Sequence, residues 1–495
     1  MNDEEKLKFN LINKRKTNRA IFKKKYINSS KLTTIIIIII LLFIFSVSYT
    51  FVLKMNDKTY KQTKRYFSVQ NNNPYIREDE FFENYQKEIE LKNEEFENNI
   101  INTNIIKNRL DEIKIIQENN TLIKNNTYMN LTESKDNYNE AINYINMIMN
   151  TSFSLENLKN FSIIKNPKIS IIIPVHNSEM LLKPFIISIQ NQAFKDIEII
   201  YVDDFSTDNS TELIKSFQKK DQRIVLLKNK QKRGPFYSRN KGAIFSRGDY
   251  IQFIDSDDIL VGNILEKAYN IAMDKKVDIV QYSVLKQKKQ KLVYINERTH
   301  KNIIYQPELS DQMYYGGRIL KQANLFLINK LIKKRTFYEG LISMGDDFLK
   351  EDLYMQEDTV TLFCLLRVAN SLIIIDDIGY YYIFGKNPQS LMTKYGNPNF
   401  TNQIFHDNFI ELKLIFNKTK NNERDKNICA QYFQMTFNLY NFLVPKVTKG
   451  FELIDEVLDL LLNCPFIMEF KKIRFREFKR RLSINKNKYN SNKKN

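Results

Sequence analysis

The chain has 495 residues, of which 43% are hydrophobic, enough for two or three domains around a substantial core. Its formal net charge is +19, but lysine is spread along the whole length, so the charge does not mark a nucleic-acid-binding face. Three cysteines without a C-x-x-C pair exclude a disulfide framework, and three widely separated histidines rule against a histidine-based zinc site.

An apolar stretch follows a basic tail near the N-terminus. Residues 32–53 hold 22 uncharged, mostly apolar residues between Lys31 and Lys54. A helix of that length spans a hydrocarbon core of about 30 Å. A cleaved signal peptide is the alternative, because Ser46-Val47-Ser48 resembles a cleavage site. The length of the preceding tail favours an uncleaved anchor, so we predict a basic cytoplasmic tail over residues 1–31 and a transmembrane signal-anchor over residues 32–53.

A partly helical stem is predicted over residues 54–165. Its apolar residues recur at roughly helical spacing, which indicates an amphipathic helix or a weak coiled coil and a possible route to a homo-oligomer. These residues are Phe82, Tyr85, Ile89, Phe96, Ile100, Ile106, Leu110 and Ile113. N-x-S/T triplets begin at Asn119, Asn125, Asn130, Asn150 and Asn160. They predict a glycoprotein if this stretch is lumenal.

Strands and helices alternate from Pro167 onward. Strands are predicted over residues 168–175, 197–204, 223–229 and 249–258, and helices over residues 181–192, 210–220 and 235–246. This alternation predicts an α/β fold with a mostly parallel sheet flanked by helices. Ligands of such sheets bind at the carboxyl ends of the strands. Polar residues lie there in this chain, at Asn177, at Asp203 and Asp204, and in the acidic group that starts at Asp255.

Three carboxylates lie at the end of the fourth predicted strand, in the stretch IQFIDSDDIL, residues 251–260. Asp255, Asp257 and Asp258 repel one another unless a positive group lies among them. Hard divalent cations take oxygen ligands and bridge to phosphate oxygens, so we expect these three residues to bind Mn²⁺ or Mg²⁺. A helix N-cap is the alternative, and it explains one of these aspartates but not three.

Five motifs, taken together and in this order, resemble family 2 of the nucleotide-sugar-dependent glycosyltransferases, which have the Rossmann-like GT-A fold. They are SIIIPVHNSE (170–179), VDDFSTDNS (202–210), RGPFYSRNKG (233–242), GDYIQFIDSDDIL (248–260) and QEDTVTLF (356–363). The resemblance implies an inverting enzyme that moves a sugar from a nucleoside diphosphate sugar, expected to be a UDP-sugar, to an acceptor hydroxyl with metal assistance. The chain has no tryptophan and hence no Q-x-x-R-W motif, which favours single additions over processive synthesis.

The resemblance also implies which residues bind the donor. They are Pro174, Val175, His176, Asn177, Glu179, Asp203, Asp204, Arg233, Arg239, Asp255, Ser256 and Asp257. His176 departs from the aromatic residue that is usual at its position. The alternative for Asp203 is a turn-forming role, and for Arg233 and Arg239 an ordinary surface position.

The catalytic base is expected to be Asp358, with Glu357 beside it. An inverting transfer needs a carboxylate that takes the proton of the acceptor hydroxyl. The pair opens a helical run and matches the Glu-Asp motif of the family, and a helix start stabilises an anion. Capping that helix is the alternative role, and the other candidate pairs are Asp346 with Asp347 and Glu351 with Asp352.

The predicted organisation is completed by a GT-A domain over residues 166–395, a helical C-terminal extension over residues 396–480 and a disordered basic tail over residues 481–495. An anchor, a stem and a catalytic body predict a single-pass type II protein of the Golgi or endoplasmic reticulum. Its lumenal site would act on a glycan, glycoprotein or glycolipid.

Two other functions remain open at this point. One is a catalytically inactive binding or scaffold protein with the same fold, which metal-dependent hydrolysis of a donor would distinguish from an enzyme. The other is a nucleotidyltransferase, which would need a glycine-rich loop where this chain has PVHNSE, residues 174–179.

Overall fold

A computed structural model describes most of the chain after residue 77. It covers residues 78–97, 101, 103–119, 137–150, 155–288, 291–295, 303–306, 326–354, 357–383, 398–419, 451–463 and 469–492. The chain divides into two units, Met1–Phe81 and Phe82–Asn495, and the first contributes only Glu78–Phe81 to the described residues. The predicted tail and anchor, residues 1–53, lie outside them. Among the helices that are described, none is both long enough and apolar enough to cross a membrane.

One mixed sheet of ten strands organises the described part of the second unit. The strands are β1 (Ile169–Val175), β2 (Ile197–Asp203), β3 (Ile224–Lys228), β4 (Tyr250–Phe253), β5 (Ile259–Leu260), β6 (Ile279–Lys288), β7 (Lys291–Ile295), β8 (Ile304–Tyr305), β9 (Lys330–Lys333) and β10 (Ser371–Tyr382). Their order is β3-β2-β1-β4-β9-β6-β10-β5, with β7 beside β6 and β8 beside β10.

The sheet is parallel in its first half and mixed in its second. Strands β3, β2, β1 and β4 run parallel, as the sequence predicts. Strand β9 is antiparallel to both β4 and β6, whereas β10 is parallel to β6. The prediction of a mostly parallel sheet is therefore corrected to a mixed one, because the strand–helix alternation that carried it ends after β6.

Helices cover both faces of the sheet. They are α1 (Glu78–Glu97), α2 (Thr103–Asn119), α3 (Asn137–Asn150), α4 (Glu179–Gln190), α5 (Ser210–Gln218), α6 (Gly234–Phe245), α7 (Ile264–Lys275), α8 (Lys334–Met344), α9 (Asp346–Leu349), α10 (Glu357–Val368), α11 (Pro398–Thr419), α12 (Phe451–Leu462) and α13 (Glu469–Asn492). Side chains alternate across β1, so that Ile172 packs on the face of α6 and α10, while Ile171 and Ile173 pack with α4 and α7.

The helices of the predicted stem belong to the core of the catalytic unit. Ile89, Phe96 and Ile106 are buried in the same cluster as residues of α6 and α8. Glu97 on α1 pairs with the fully buried ammonium of Lys241 on α6. The expectation of a separate stem is thus corrected for the described residues between 82 and 110, because Ile89, Phe96 and Ile106 are covered by this chain itself. Ile100 and the side chain of Ile113 lie outside the described residues.

The C-terminal extension is helical beyond the predicted boundary at residue 480. Helix α13 continues through Asn492, although composition predicts disorder there. Phe478 and Leu482 are almost fully buried, and Lys486 lies 3.1 Å from Glu452 of α12. The prediction of a disordered tail is wrong over residues 481–492, because packing against α12 outweighs the basic composition.

Candidate active site

The loops after β1 and β2 are hydrogen-bonded to each other at the carboxyl edge of the sheet. The backbone N–H of Asn177 donates to Ser206 Oγ at 3.0 Å, and the N–H of Thr207 donates to Asn177 Oδ1 at 2.8 Å. Next to them, Glu179 accepts hydrogen bonds from the backbone and side chain of Asn209. These reciprocal contacts hold the predicted donor-binding loops in one fixed arrangement.

Asp203 and Asp204 direct their carboxylates into the protein. Asp203 accepts hydrogen bonds from the N–H of Ser206 and the hydroxyl of Thr211, which is the turn-forming role that the sequence left open. Asp204 accepts two backbone hydrogen bonds at the start of α6, from Arg233 at 2.7 Å and Gly234 at 2.9 Å. Both carboxylates therefore shape the donor loops, and Asp204 links β2 to the start of α6.

Asn229 is a member of this network that the sequence analysis did not single out. Its side-chain amide donates to Asp204 Oδ1 at 2.8 Å and to Ser238 Oγ at 3.0 Å. The residue comes directly after β3, at the same edge as the polar residues that follow β1, β2 and β4. The rule that ligands gather at the carboxyl ends of parallel strands is the signal that points to it.

Gly234 brings the segment 351–354 against the start of α6. Its φ is +83°, and a Cβ at this position would lie 2.5 Å from the carbonyl oxygen of Leu353, so only glycine fits. Nearby, Arg233 Nε lies 2.5 Å from Asp352 Oδ1, and its guanidinium lies 3.9 Å from the centroid of the Tyr237 ring. Asp352 is thus a partner of Arg233 and lies with the donor loops.

His176 is held at both ring nitrogens. Its Nδ1 lies 2.9 Å from the carbonyl oxygen of Asp204, and its Nε2 lies 2.9 Å from Lys232 Nζ. A neutral ring protonated on Nδ1 satisfies both contacts, since it donates to the carbonyl and accepts from the ammonium. Pro174 and Val175 end β1 just before it, and the carbonyl of Val175 accepts from the N–H of Asp204. Lys232 is a second residue that the sequence analysis missed.

Arg239 joins the two groups of acidic residues that the sequence predicts. Its Nη2 donates to Asp255 Oδ1 at 2.7 Å, and its Nη1 donates to Asp358 Oδ1 at 3.3 Å and to Glu357. The residue is 6% exposed. The structure therefore places the guanidinium among three carboxylates, where it neutralises their charge, and differs in this from the predicted contact with the donor.

Glu357 and Asp358 open α10 with different exposures. The side chain of Glu357 is 9% exposed and that of Asp358 is 21% exposed. Burial raises the pKa of Glu357 to about 8, although Arg239 lowers it. Burial also raises the pKa of Asp358, again against the attraction of Arg239. Asp358 Oδ2 accepts from the backbone N–H of Leu327 at 3.2 Å, so the more accessible of the two carboxylates is also fixed in position.

Asp258 is buried and hydrogen-bonded at the end of β10. It is 1% exposed, and its two oxygens accept from Tyr380 Oη at 2.6 Å and from the N–H of Ile383 at 2.8 Å. Burial raises the pKa of Asp258, and the charges of Asp257 and Asp255 raise it further. Tyr380 also accepts from the N–H of Asp255 at 3.2 Å, which makes it a further residue that the sequence analysis missed.

The acidic turn, which contains Asp255, Asp257 and Asp258, has the ligand chemistry of a divalent-cation site but only part of the required arrangement. Its carboxylates are the oxygen ligands that Mn²⁺ and Mg²⁺ take, and their mutual repulsion is what a cation would offset. Within the described residues, no three His, Cys, Asp or Glu side chains are arranged to hold a metal. The structure therefore differs from the predicted set of three ligands, because Asp258 is buried and hydrogen-bonded to Tyr380 and Ile383. Between the aspartates, Ser256 Oγ lies 2.8 Å from Ser178 Oγ.

Comparison with known proteins gives a family match over part of this site, and the match ends before Glu357 and Asp358. Residues 170–336 match the model of glycosyl transferase family 2. Glycosyltransferase GlyG of Streptococcus pneumoniae is 29% identical over 219 residues, which cover 43% of this chain and 70% of that protein. The GalNAc(5)-diNAcBac-PP-undecaprenol beta-1,3-glucosyltransferase of Campylobacter jejuni is 26% identical over 306 residues, which cover 61% of this chain and 92% of that protein.

Solved structures give a weaker similarity. The crystal structure of S. aureus TarS 1-349 in complex with UDP has a TM-score of 0.48 at 17% identity, over 64% of this chain and 89% of that one. The family match and the curated relatives agree on one class of enzyme. Residues 170–336 therefore resemble glycosyl transferase family 2, and together with these relatives the match indicates that the protein is a glycosyltransferase.

Proposed function

We propose that this chain transfers a single sugar from a nucleoside diphosphate sugar to an acceptor hydroxyl with inversion at the anomeric carbon. The observation that carries the proposal is the position of Arg239. Its guanidinium forms ion pairs with Asp255, which follows β4, and with Glu357 and Asp358, which begin α10. Two acidic groups about 100 residues apart in sequence thereby face one site at the carboxyl edge of a GT-A-type sheet.

Asp358 is the base in this proposal. Its carboxylate takes the proton of the acceptor hydroxyl as that oxygen bonds to the anomeric carbon, and the bond from that carbon to the diphosphate oxygen breaks on the opposite face. Asp358 is better suited than Glu357, because it is the more exposed of the two. Its raised pKa also makes it a stronger base than an ordinary aspartate.

The donor is bound, in this proposal, by the two interlocked loops and by the start of α6. Asn177 and His176 lie on the first loop, Lys232 contacts His176, and Arg233 supplies a further positive charge at the start of α6. A UDP-sugar is our proposed donor. Asp257, with Asp255, would hold Mn²⁺ or Mg²⁺, which supplies positive charge to a departing diphosphate.

The full 495-residue chain, incubated with UDP-sugars, an acceptor panel and Mn²⁺, tests the proposal. Asp358→Asn should lower the transfer rate by about 10²- to 10⁴-fold, the usual contribution of a general base, while the Kd for UDP stays within about twofold. The matched control is Asp347→Asn, the same substitution at a fully exposed member of another candidate pair. It should keep the wild-type rate. Full transfer by Asp358→Asn would assign the base to another residue.

We also propose that residues 32–53 anchor the chain in the Golgi or endoplasmic reticulum membrane with the catalytic domain in the lumen. The supporting observations are the apolar run itself and the N-x-S/T triplets after it, two of which begin at Asn150 and Asn160, both exposed. A lumenal domain should carry glycans that peptide N-glycosidase removes. A domain that faces the cytosol would carry none and would suit a lipid-linked acceptor.

A further inference from the structure

Phe205 combines a strained backbone with an exposed aromatic ring. Its φ is +61°, in the left-handed region that bulky residues rarely adopt. Its side chain is 52% exposed, so burial of the ring offsets little of the strain. Residues held in such conformations cluster at sites where the strain serves binding or catalysis. The positive φ and the exposed ring of Phe205 therefore point to a role in binding a ligand.

Hydrogen bonds on both sides hold Phe205 in this conformation. Before it, the N–H of Asp204 donates to the carbonyl of Val175 at 2.7 Å. After it, the N–H of Ser206 donates to Asp203 Oδ1 at 3.1 Å and the N–H of Thr207 donates to Asn177 Oδ1 at 2.8 Å. The loop is thus fixed independently of the aromatic ring, and the ring is left at the surface.

The ring belongs to the loop that faces the histidine of the donor site. The carbonyl of Asp204, the residue just before Phe205, accepts from His176 Nδ1 at 2.9 Å. Both nitrogens of that imidazole are engaged, because Nε2 contacts Lys232 Nζ at 2.9 Å. His176 is therefore occupied along its polar edge. Phe205, the next residue after Asp204 on the same loop, offers a large exposed apolar face.

We propose that Phe205 is the stacking surface for the nucleobase of the donor. Aromatic side chains stack on any base through its π-face, and this contact is lost when the ring is removed. Lys232 and His176 would then lie at the polar edge of the same base. This assignment rests on the proposed function, since it requires that a nucleotide binds at these loops.

Three substitutions separate the ring from the backbone strain. Phe205→Ala and Phe205→Gly both remove the ring, and only glycine adopts the positive φ without strain. Phe205→Tyr keeps the ring. The measurement is calorimetric titration of the full chain with UDP and with abasic ribose 5-diphosphate, both in Mn²⁺, together with the melting temperature of each variant.

The Ala and Gly variants should bind UDP about tenfold more weakly than wild type and equally to each other, whereas the Tyr variant stays within about twofold. Affinity for the abasic compound should not change in any variant. Phe205→Gly should melt about 1 to 3 °C above Phe205→Ala, because it relieves the strained φ.

Two results would overturn the assignment while leaving the proposed function in place. One is an unchanged affinity for UDP in both ring-free variants. The other is an equal loss for UDP and for the abasic compound, which would mean that the ring supports the loop and not the base. If the wild-type chain itself binds neither compound, the proposed function fails together with this inference.

Discussion

Replacing Arg239 by lysine tests whether this side chain holds the two acidic groups together. The guanidinium reaches Asp255 at 2.7 Å, Asp358 at 3.3 Å and Glu357 as a third partner. A lysine keeps the charge but presents it at one point, so it cannot bridge the two sides. Loss of one or two hydrogen bonds to charged groups costs about 2–5 kcal/mol, and 7% side-chain exposure leaves little screening by solvent.

The melting temperature of Arg239→Lys should accordingly fall by about 2 to 6 °C, because a unit as long as Phe82–Asn495 has a large entropy of unfolding. The transfer rate should fall by about 10- to 100-fold, because Asp358 loses the partner that fixes its position. Calorimetric melting and steady-state kinetics measure the two effects.

Arg335→Lys is the matched control for this substitution. Arg335 Nε contacts Glu339 Oε1 at 2.9 Å, and the pair lies on one helix with 44% of the arginine side chain exposed. Surface pairs of this kind contribute about 0–1 kcal/mol, so the control should melt within about 1 °C of wild type. Equal melting temperatures for the two variants, with transfer unchanged in both, would refute the bridging role.

Two further predictions concern the same region. Burial raises the pKa of Glu357 from 4.5 to about 8. An acid whose pKa is raised by folding contributes stability below its unfolded pKa and loses it as the pH rises through the folded value. Wild type should therefore lose stability between about pH 5 and 9 more steeply than Glu357→Gln, and parallel urea midpoints would contradict this. Asp407 on α11 is fully buried and accepts from the backbone N–H of Tyr354 at 2.8 Å. Asp407→Asn should raise the KM for the donor severalfold with kcat nearly unchanged, and a loss confined to kcat would contradict a role in placing the segment 351–354.

The first half of the sheet could be predicted from local pattern alone. Strands β1 to β4 are mostly apolar, mostly buried runs with helices between them. Their observed ends lie within a few residues of the predicted ones, except that β4 ends at Phe253. The later strands carry no such alternation. Strand β9 is four residues long with a lysine at each end, so nothing local shows that it lies between β4 and β6.

The sequence identified most of the residues that the structure brings together at this edge of the sheet, but not the contacts among them. Asp255 and Asp358 were both identified, but their common partner lies on a third element, and the pairing of Arg239 with Glu357 joins residues 118 apart in sequence. Residue type and spacing carry no information about such a pairing. The same limit explains why Tyr380 was missed, since its role depends on where β10 lies beside the acidic turn.

Periodicity predicted an apolar face on the segment before the catalytic domain but could not show what covers it. A coiled coil and a helix that packs on its own domain have the same spacing of apolar residues. Here Ile106 and Phe96 pack into the main core. The basic composition near the C-terminus likewise did not indicate that α13 forms, because Phe478 and Leu482 are buried in the fold.

The burial of α1 against α6 decides where the chain can be shortened for expression. A fragment cut near residue 160 would retain every residue of the family match. It would nevertheless lack Glu97, the ion-pair partner of the buried ammonium of Lys241. It would also expose the apolar side chains that Phe96 and Ile106 cover. Such a fragment should misfold or aggregate, since an unpaired buried charge and an uncovered core are both costly. A recombinant boundary placed before Glu78 avoids both problems.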